Sequence, residues 1–315
     1  MGCGGGWRVR RLGHGTGEKV KQFAFVIVLL SFETISAETD TLRAKVDSLF
    51  LRASSGQLKF RELNEPSKKA LREMPEAIPY LVEKFTIRDA RERRALIDIL
   101  GKMPDAVMPV VEATQSSNRD VVKAACEILG ELKDSRATPY LVKVLDHPDI
   151  LARGYAATGL GKCGGKEARG GLLKTLNDSV NFVRTQAAAG LGFLKDKTTL
   201  SKLIDALQDE YYGVRFAAVS SLAKFDSTAV PYLLKSLHSE VPMVRQLSAE
   251  ALGKIRSRAA VPPLSRMLKS KLWSDRLTAI EALSQIDTPA ARRILSLHRE
   301  GELLVKARQE ELLKR

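Results

Sequence analysis

One feature limits what this chain can fold into more than any other: a unit that recurs at a nearly fixed spacing. Its cleanest copy is DSVNFVRTQAAAGLGFL, from Asp178 to Leu194. Aligning on the basic residue after its Val gives Arg94, Lys123, Arg153, Arg184, Arg215, Arg245, Arg276 and Lys306, in steps of 29 to 31 residues. A second ladder pairs Leu with Gly or another small residue, at Leu100-Gly101, Leu129-Gly130, Leu160-Gly161, Leu191-Gly192, Leu222-Ala223, Leu252-Gly253 and Leu283-Ser284. A period of this size belongs to a solenoid. One copy cannot bury its own apolar face, so successive copies must stack. The 315 residues would otherwise fit about two globular domains, but a stack grows in one dimension and has no single core to divide.

The unit reads as two helices. The first often opens with proline, at Pro79, Pro109, Pro139, Pro231 and Pro262. Proline suits a first turn because the N–H it lacks would have no partner there. In the second helix Val183, Ala187, Ala188, Leu191 and Leu194 form an inner stripe, and the alanines let neighbouring helices approach closely. The expected fold is all-α, an α-solenoid of about eight helical hairpins. The repeats span 74–103, 104–134, 135–165, 166–196, 197–227, 228–257, 258–288 and a shorter 289–315. Residues 38–73 precede them. There Leu42, Val46, Leu49 and Phe50 share one helical face, and a second segment runs from Phe60 to Arg72, so 38–73 is expected to cap the first repeat.

The pattern Asp-x4-Val-Arg-x2-Ala-Ala-x2-Leu-Gly resembles HEAT repeats, in particular the HEAT-like repeats named after phycobilisome lyases. The resemblance covers about 240 of 315 residues. It implies a ladder of Asp and Arg between successive repeats, onto which Asp178, Asp209, Arg153, Arg184, Arg215, Arg245 and Arg276 fall. A partly buried guanidinium needs acceptors, and the neighbouring Asp and helix-end carbonyls would supply them. This makes the ladder structural, with a ligand-binding strip as the other reading. The chain departs from the pattern at Ser117, Ser239 and Ser270, which replace the acid, and at Asp146–Arg153, which is one residue longer.

Charge and the N-terminus bear on where the chain works. The net charge is +14, which favours an acidic partner. Residues 1–37 begin basic, continue through the apolar run FAFVIVLLSF and end at Ala37. That is the layout of a secretory signal peptide, and the run falls short of the roughly 20 residues of a membrane-spanning helix. Export to the periplasm or medium is expected. An uncleaved anchor is the alternative, and the only expected tie to a membrane. Gly6 stands where N-myristoylation wants Ser or Thr.

No residue set points to a reaction, so no catalytic, metal-binding or cofactor-binding residue is expected. Gly159-Leu-Gly161-Lys-Cys-Gly164 spells a dinucleotide fingerprint, but it ends a helix instead of following a strand. Cys126 and Cys163 fall at core positions and are expected to be free buried thiols. There is no Cys-x-x-Cys or Cys/His cluster for zinc. HEAT-repeat hydroxylases hold iron with His-Glu pairs, and no His-Glu dipeptide occurs here.

The turns inside the hairpins stand out. Four and three residues before the basic ladder lie Tyr211/Tyr212, Val241/Pro242 and Leu272/Trp273, with Phe182 and Met243 beside them. Stacking would align these turns into one apolar ridge, and clustered exposed aromatics mark binding sites. The expected function is a non-catalytic scaffold that binds another protein through this ridge or the curved face of the second helices. Tyr211, Tyr212, Trp273, Met243 and Phe182 are the candidate contacts. Two alternatives remain: nucleic-acid binding, as in HEAT-like DNA glycosylases, against which export argues, and a bilin lyase or isomerase, on family resemblance alone.

Overall fold

The computed structural model describes residues 39–314. The proposed leader, residues 1–37, lies outside them. A helix over 39–54 (α1) is followed by a 3₁₀ turn at Leu58–Leu63 and by α2 (Asn64–Arg72). Pro66 sits within the first turn of α2, where a missing N–H costs nothing.

Eight helical hairpins follow among the described residues. They pair α3 (Ile78–Val82) with α4 (Ala90–Leu100), α5 (Val107–Ala113) with α6 (Arg119–Leu132), α7 (Thr138–Val144) with α8 (Ile150–Cys163), and α9 (Lys166–Thr175) with α10 (Asn181–Leu194). Then come α11 (Leu200–Asp205) with α12 (Tyr212–Lys224), α13 (Val230–Ser236) with α14 (Pro242–Ile255), α15 (Val261–Met267) with α16 (Trp273–Ile286), and α17 (Pro289–Leu297) with α18 (Leu303–Leu313). No strand occurs among the described residues, and none of their helices is long and apolar enough to cross a membrane. The fold is an all-α solenoid.

The core lies between the two helix layers and runs unbroken through the stack. Val183, Ala187, Ala188 and Leu191 are buried, as are Val214, Ala218 and Leu222 one repeat later. Each buried Leu or Val contributes about 1.5–3 kcal/mol. The second helices pack chiefly on one another, α8 on α10 and α10 on α12, while each first helix backs its own partner.

This close packing explains the glycines of the Leu-Gly ladder. A Cβ on Gly161 would stand 2.2 Å from the Gly190 carbonyl oxygen, a backbone atom that cannot move aside. The fingerprint-like glycines around Gly161 are therefore a helix crossing. Gly164 ends α8 at φ 73°, which a residue with a side chain rarely adopts. Other second helices end on left-handed residues that do carry side chains: Lys133, Lys195, Arg256 and Asp287.

Cys126 and Cys163 are free and buried. The Cys163 thiol donates to the Leu129 carbonyl at 3.2 Å, and burial pushes its pKa up to about 12.

Candidate functional site

The turn that joins the helices of a hairpin is built in two ways. In the earlier repeats a polar residue caps the second helix with its own side chain. Asp89 accepts from the Arg91 and Glu92 N–H groups, Asn118 from Asp120, and Asp149 from Ala152. From α10 to α16 the capping position is held by Val180, Tyr211, Val241 and Leu272, whose side chains make no cap. The residue two places earlier then braces the turn alone, as Ser116 and His147 do beside the caps Asn118 and Asp149. Asp178 and Asp209 accept the Val180 and Tyr211 N–H groups, each at 2.8 Å. Ser239 and Ser270 do the same for Val241 and Leu272, each at 3.2 Å.

With the turn held from two places back, the capping position can carry an apolar residue that points outward. Tyr212 is 66% and Trp273 51% exposed, and Tyr211, Met243, Val241 and Leu272 are exposed as well. Tyr212 stacks on Phe216 of the next turn of its helix, with centroids 6.1 Å apart. Phe182 differs. It is only half exposed, lies against Gly154 and meets Tyr155 at 6.3 Å. A Cβ on Gly154 would come within 2.3 Å of the Phe182 ring. The expected membership of Phe182 in the exposed ridge is therefore corrected: it packs between repeats.

Beneath the ridge runs the arginine ladder. Arg184 donates from Nε and Nη2 to both Asp209 oxygens, at 2.8 and 3.0 Å, and from Nη1 to the carbonyls of Asp178 and Ser179. One guanidinium thus closes its own turn and ties it to the next repeat. Arg153 makes the same set with Asp178 and with the His147 and Pro148 carbonyls. Burial alone would push the Asp178 and Asp209 carboxyls up. The arginines and the braced N–H groups outweigh it and hold both below the usual carboxylate range.

Arg215 closes its own turn on the Asp209 and Glu210 carbonyls, at 2.7 and 2.9 Å. Ser239 stands where the next acid would be. Where Ser270 replaces the acid, Asp275 reaches back from the first turn of α16. It accepts from Arg245 Nη2 at 2.9 Å, from Gln246 at 2.8 Å and from the Ser270 hydroxyl at 2.8 Å.

The last rung departs from the sequence pattern. Arg276 donates from Nε and Nη2 to the two oxygens of Glu300, both at 2.9 Å. Glu300 lies six residues before Lys306, the ladder's own spacing, but it is Glu where the pattern has Asp. At the other end the register is corrected. Arg94 is exposed, and its neighbour Arg93 reaches the Arg88 carbonyl at 3.2 Å. Lys123 lies over the Tyr155 ring, and Asp146 pairs with Lys174 at 2.6 Å, so neither joins the ladder.

A sequence profile described as HEAT repeats matches residues 78–150, 138–223, 200–284 and 230–313. The chain belongs to the HEAT-repeat family. Among solved structures, it resembles human deoxyhypusine hydroxylase in complex with glycerol at 22% identity, with 78% of this chain and 96% of that chain covered and a TM-score of 0.36. It also resembles the complex of CpcE and CpcF of phycocyanin lyase from Nostoc sp. PCC7120, at 20% identity, 70% and 92% coverage and a TM-score of 0.40. YibA of Escherichia coli gives 17% identity, 79% and 95% coverage and a TM-score of 0.46. Likeness at these levels speaks to the fold alone. No curated protein matches the chain. The HEAT-repeat solenoid thus carries exposed apolar residues at the turns before α12, α14 and α16.

Proposed function

We propose that this HEAT-repeat protein is a non-catalytic scaffold that docks a partner protein along the turn ridge. The observation that carries the reading is the run of outward-facing apolar residues at the capping positions and in the first turns of α12, α14 and α16. Tyr211, Tyr212, Met243 and Trp273 are its largest members. Aromatic side chains on a rigid edge lose little freedom when covered, which makes them effective anchors. The Arg245–Asp275 pair ties the α14 turn to the α16 turn, as Arg184–Asp209 ties α10 to α12.

The charge of +14 favours a partner with an acidic surface around its apolar contact. The basic start, short apolar run and Ala37 end of residues 1–37 support export, and the partner would then be extracytoplasmic. Mass measurement of the protein recovered from native cells tests this part, with Glu38 as the expected first residue.

The docking reading is tested by replacing Tyr211, Tyr212 and Trp273 together with Ala. The folded variant should lose affinity for the partner by about a hundredfold or more, since each anchor contributes on the order of 1–2 kcal/mol. Unchanged affinity would remove the ridge from the account.

A further inference from the structure

The opposite end of the second helices carries a different row. Glu131, Lys162, Phe193 and Lys224 follow one another at intervals of 31 residues, and Lys254 comes 30 later. Each lies in the last turn of its helix, from α6 to α14. Twelve residues of helix separate Phe193 from the start of α10, so about 18 Å lies between this row and the turn ridge.

Phe193 is the centre of the row. It is a large apolar residue left exposed to solvent. Lys224 of the following repeat stands over its ring at 3.6 Å from the centroid, and Lys162 of the preceding repeat at 5.3 Å. The charges around it are unevenly matched. Lys162 is paired with Glu131 at 2.6 Å, and Lys195 reaches Asp226 only at 3.9 Å. Among the described residues, no carboxylate lies within ion-pair distance of Lys224. Burial, and then the neighbouring charges of Lys162 and Lys195, hold the Lys224 ammonium below its usual pKa. A cation held beside two others over an apolar ring gains from an incoming anion that cancels the repulsion.

We propose that the Lys162–Phe193–Lys224 patch binds an acidic segment of a partner protein, with a carboxylate on Lys224 and an adjoining apolar side chain on the exposed part of Phe193. Charge complementarity picks this occupant over nucleic acid. The excess of positive charge is local: the row begins with Glu131, and Lys254 is already paired with Glu250 at 2.8 Å. A phosphate chain following the row would run into these carboxylates, whereas a short acidic segment meets only the central lysines. The ring already carries ammonium groups from the repeats on both sides, which a base stacked flat on it would have to displace. This inference does not depend on the turn ridge.

The test uses the full chain and a short fluorescent peptide of repeated Asp-Glu-Leu units, followed by anisotropy. The peptide should bind and weaken steeply as salt rises. Lys224→Gln and Phe193→Ala should each weaken it by about tenfold, the range of one charge-assisted contact. Lys202→Gln, the same charge change at an exposed position of α11, should leave it unaltered, and unchanged circular-dichroism melting would show that the variants fold. Absence of peptide binding would overturn the proposal, as would equal loss in Lys224→Gln and Lys202→Gln. Oligothymidylate binding more tightly than the peptide, with the same dependence on Lys224, would overturn it in favour of nucleic acid.

Discussion

Arg184 and Asp209 lie in consecutive repeats and are joined by two hydrogen bonds, at 2.8 and 3.0 Å, while the same guanidinium closes its own turn on the Asp178 and Ser179 carbonyls. The pair locks the turn before α10 to the turn before α12. Arg184 is almost fully buried, so breaking the pair strands a carboxylate and two carbonyls together.

Arg184→Ala should therefore destabilise the fold by about 3 kcal/mol, the cost of orphaning one half of a buried pair. Arg184→Lys should recover only part of this, because an ammonium cannot make the two-pronged contact. Arg215→Ala, which removes contacts to two carbonyls and no acid, should cost about 1 kcal/mol. Urea denaturation of the three variants gives the order directly.

The last rung predicts a pH dependence. Arg276, aided by the Glu302 N–H and His298, outweighs burial and holds the Glu300 carboxyl down at about 2, against an ordinary 4.5. A depressed carboxyl contributes stability that is complete above its unfolded pKa and lost as the pH falls through the folded one. The loss should fall between about pH 4.5 and 2. Glu300→Gln should be less stable than the parent at neutral pH and should flatten this part of the acid-unfolding curve.

Gly161 tests the helix crossing. Gly161→Ala would drive a methyl group into the Gly190 carbonyl oxygen, and α8 and α10 would have to move apart. The expected cost is about 1–3 kcal/mol, read as a lowered Tm. Gly170→Ala is the control, since a Cβ there meets nothing within 4 Å.

The left-handed helix ends predict a gain. Lys195 ends α10 at φ 52°, a conformation that costs a residue with a side chain about 1–2 kcal/mol. Lys195→Gly relieves that strain and makes the unfolded chain more flexible, an opposing effect of about 0.5–1 kcal/mol. A small net rise in Tm is expected.

These residues also show what the sequence could and could not disclose. The solenoid was legible because its cause is repetitive: Val183, Ala187, Ala188 and Leu191 recur at one spacing, and each copy buries the same stripe. The later ladder was legible for the same reason. Its exceptions were hidden because geometry, not spacing, supplies the acceptor. Asp275 replaces an acid from five residues further on, and Arg93 acts where the alignment points to Arg94. Phe182 looked like a ridge residue until Gly154 provided a hollow for it, since whether a turn residue tucks under depends on the neighbouring repeat. The Lys162–Phe193–Lys224 row had a readable period, but its residue types differ, so no consensus brought them together.

The central claim is that the turn ridge is the docking surface. Its most direct measurement is site-specific photo-crosslinking in native cells, with a benzophenone amino acid replacing Tyr212, Trp273 or, as the control, Lys202. The account predicts that Tyr212 and Trp273 trap the same protein, identified by mass spectrometry, and that Lys202 does not. Adducts absent from both ridge positions, or identical adducts from all three, would contradict it.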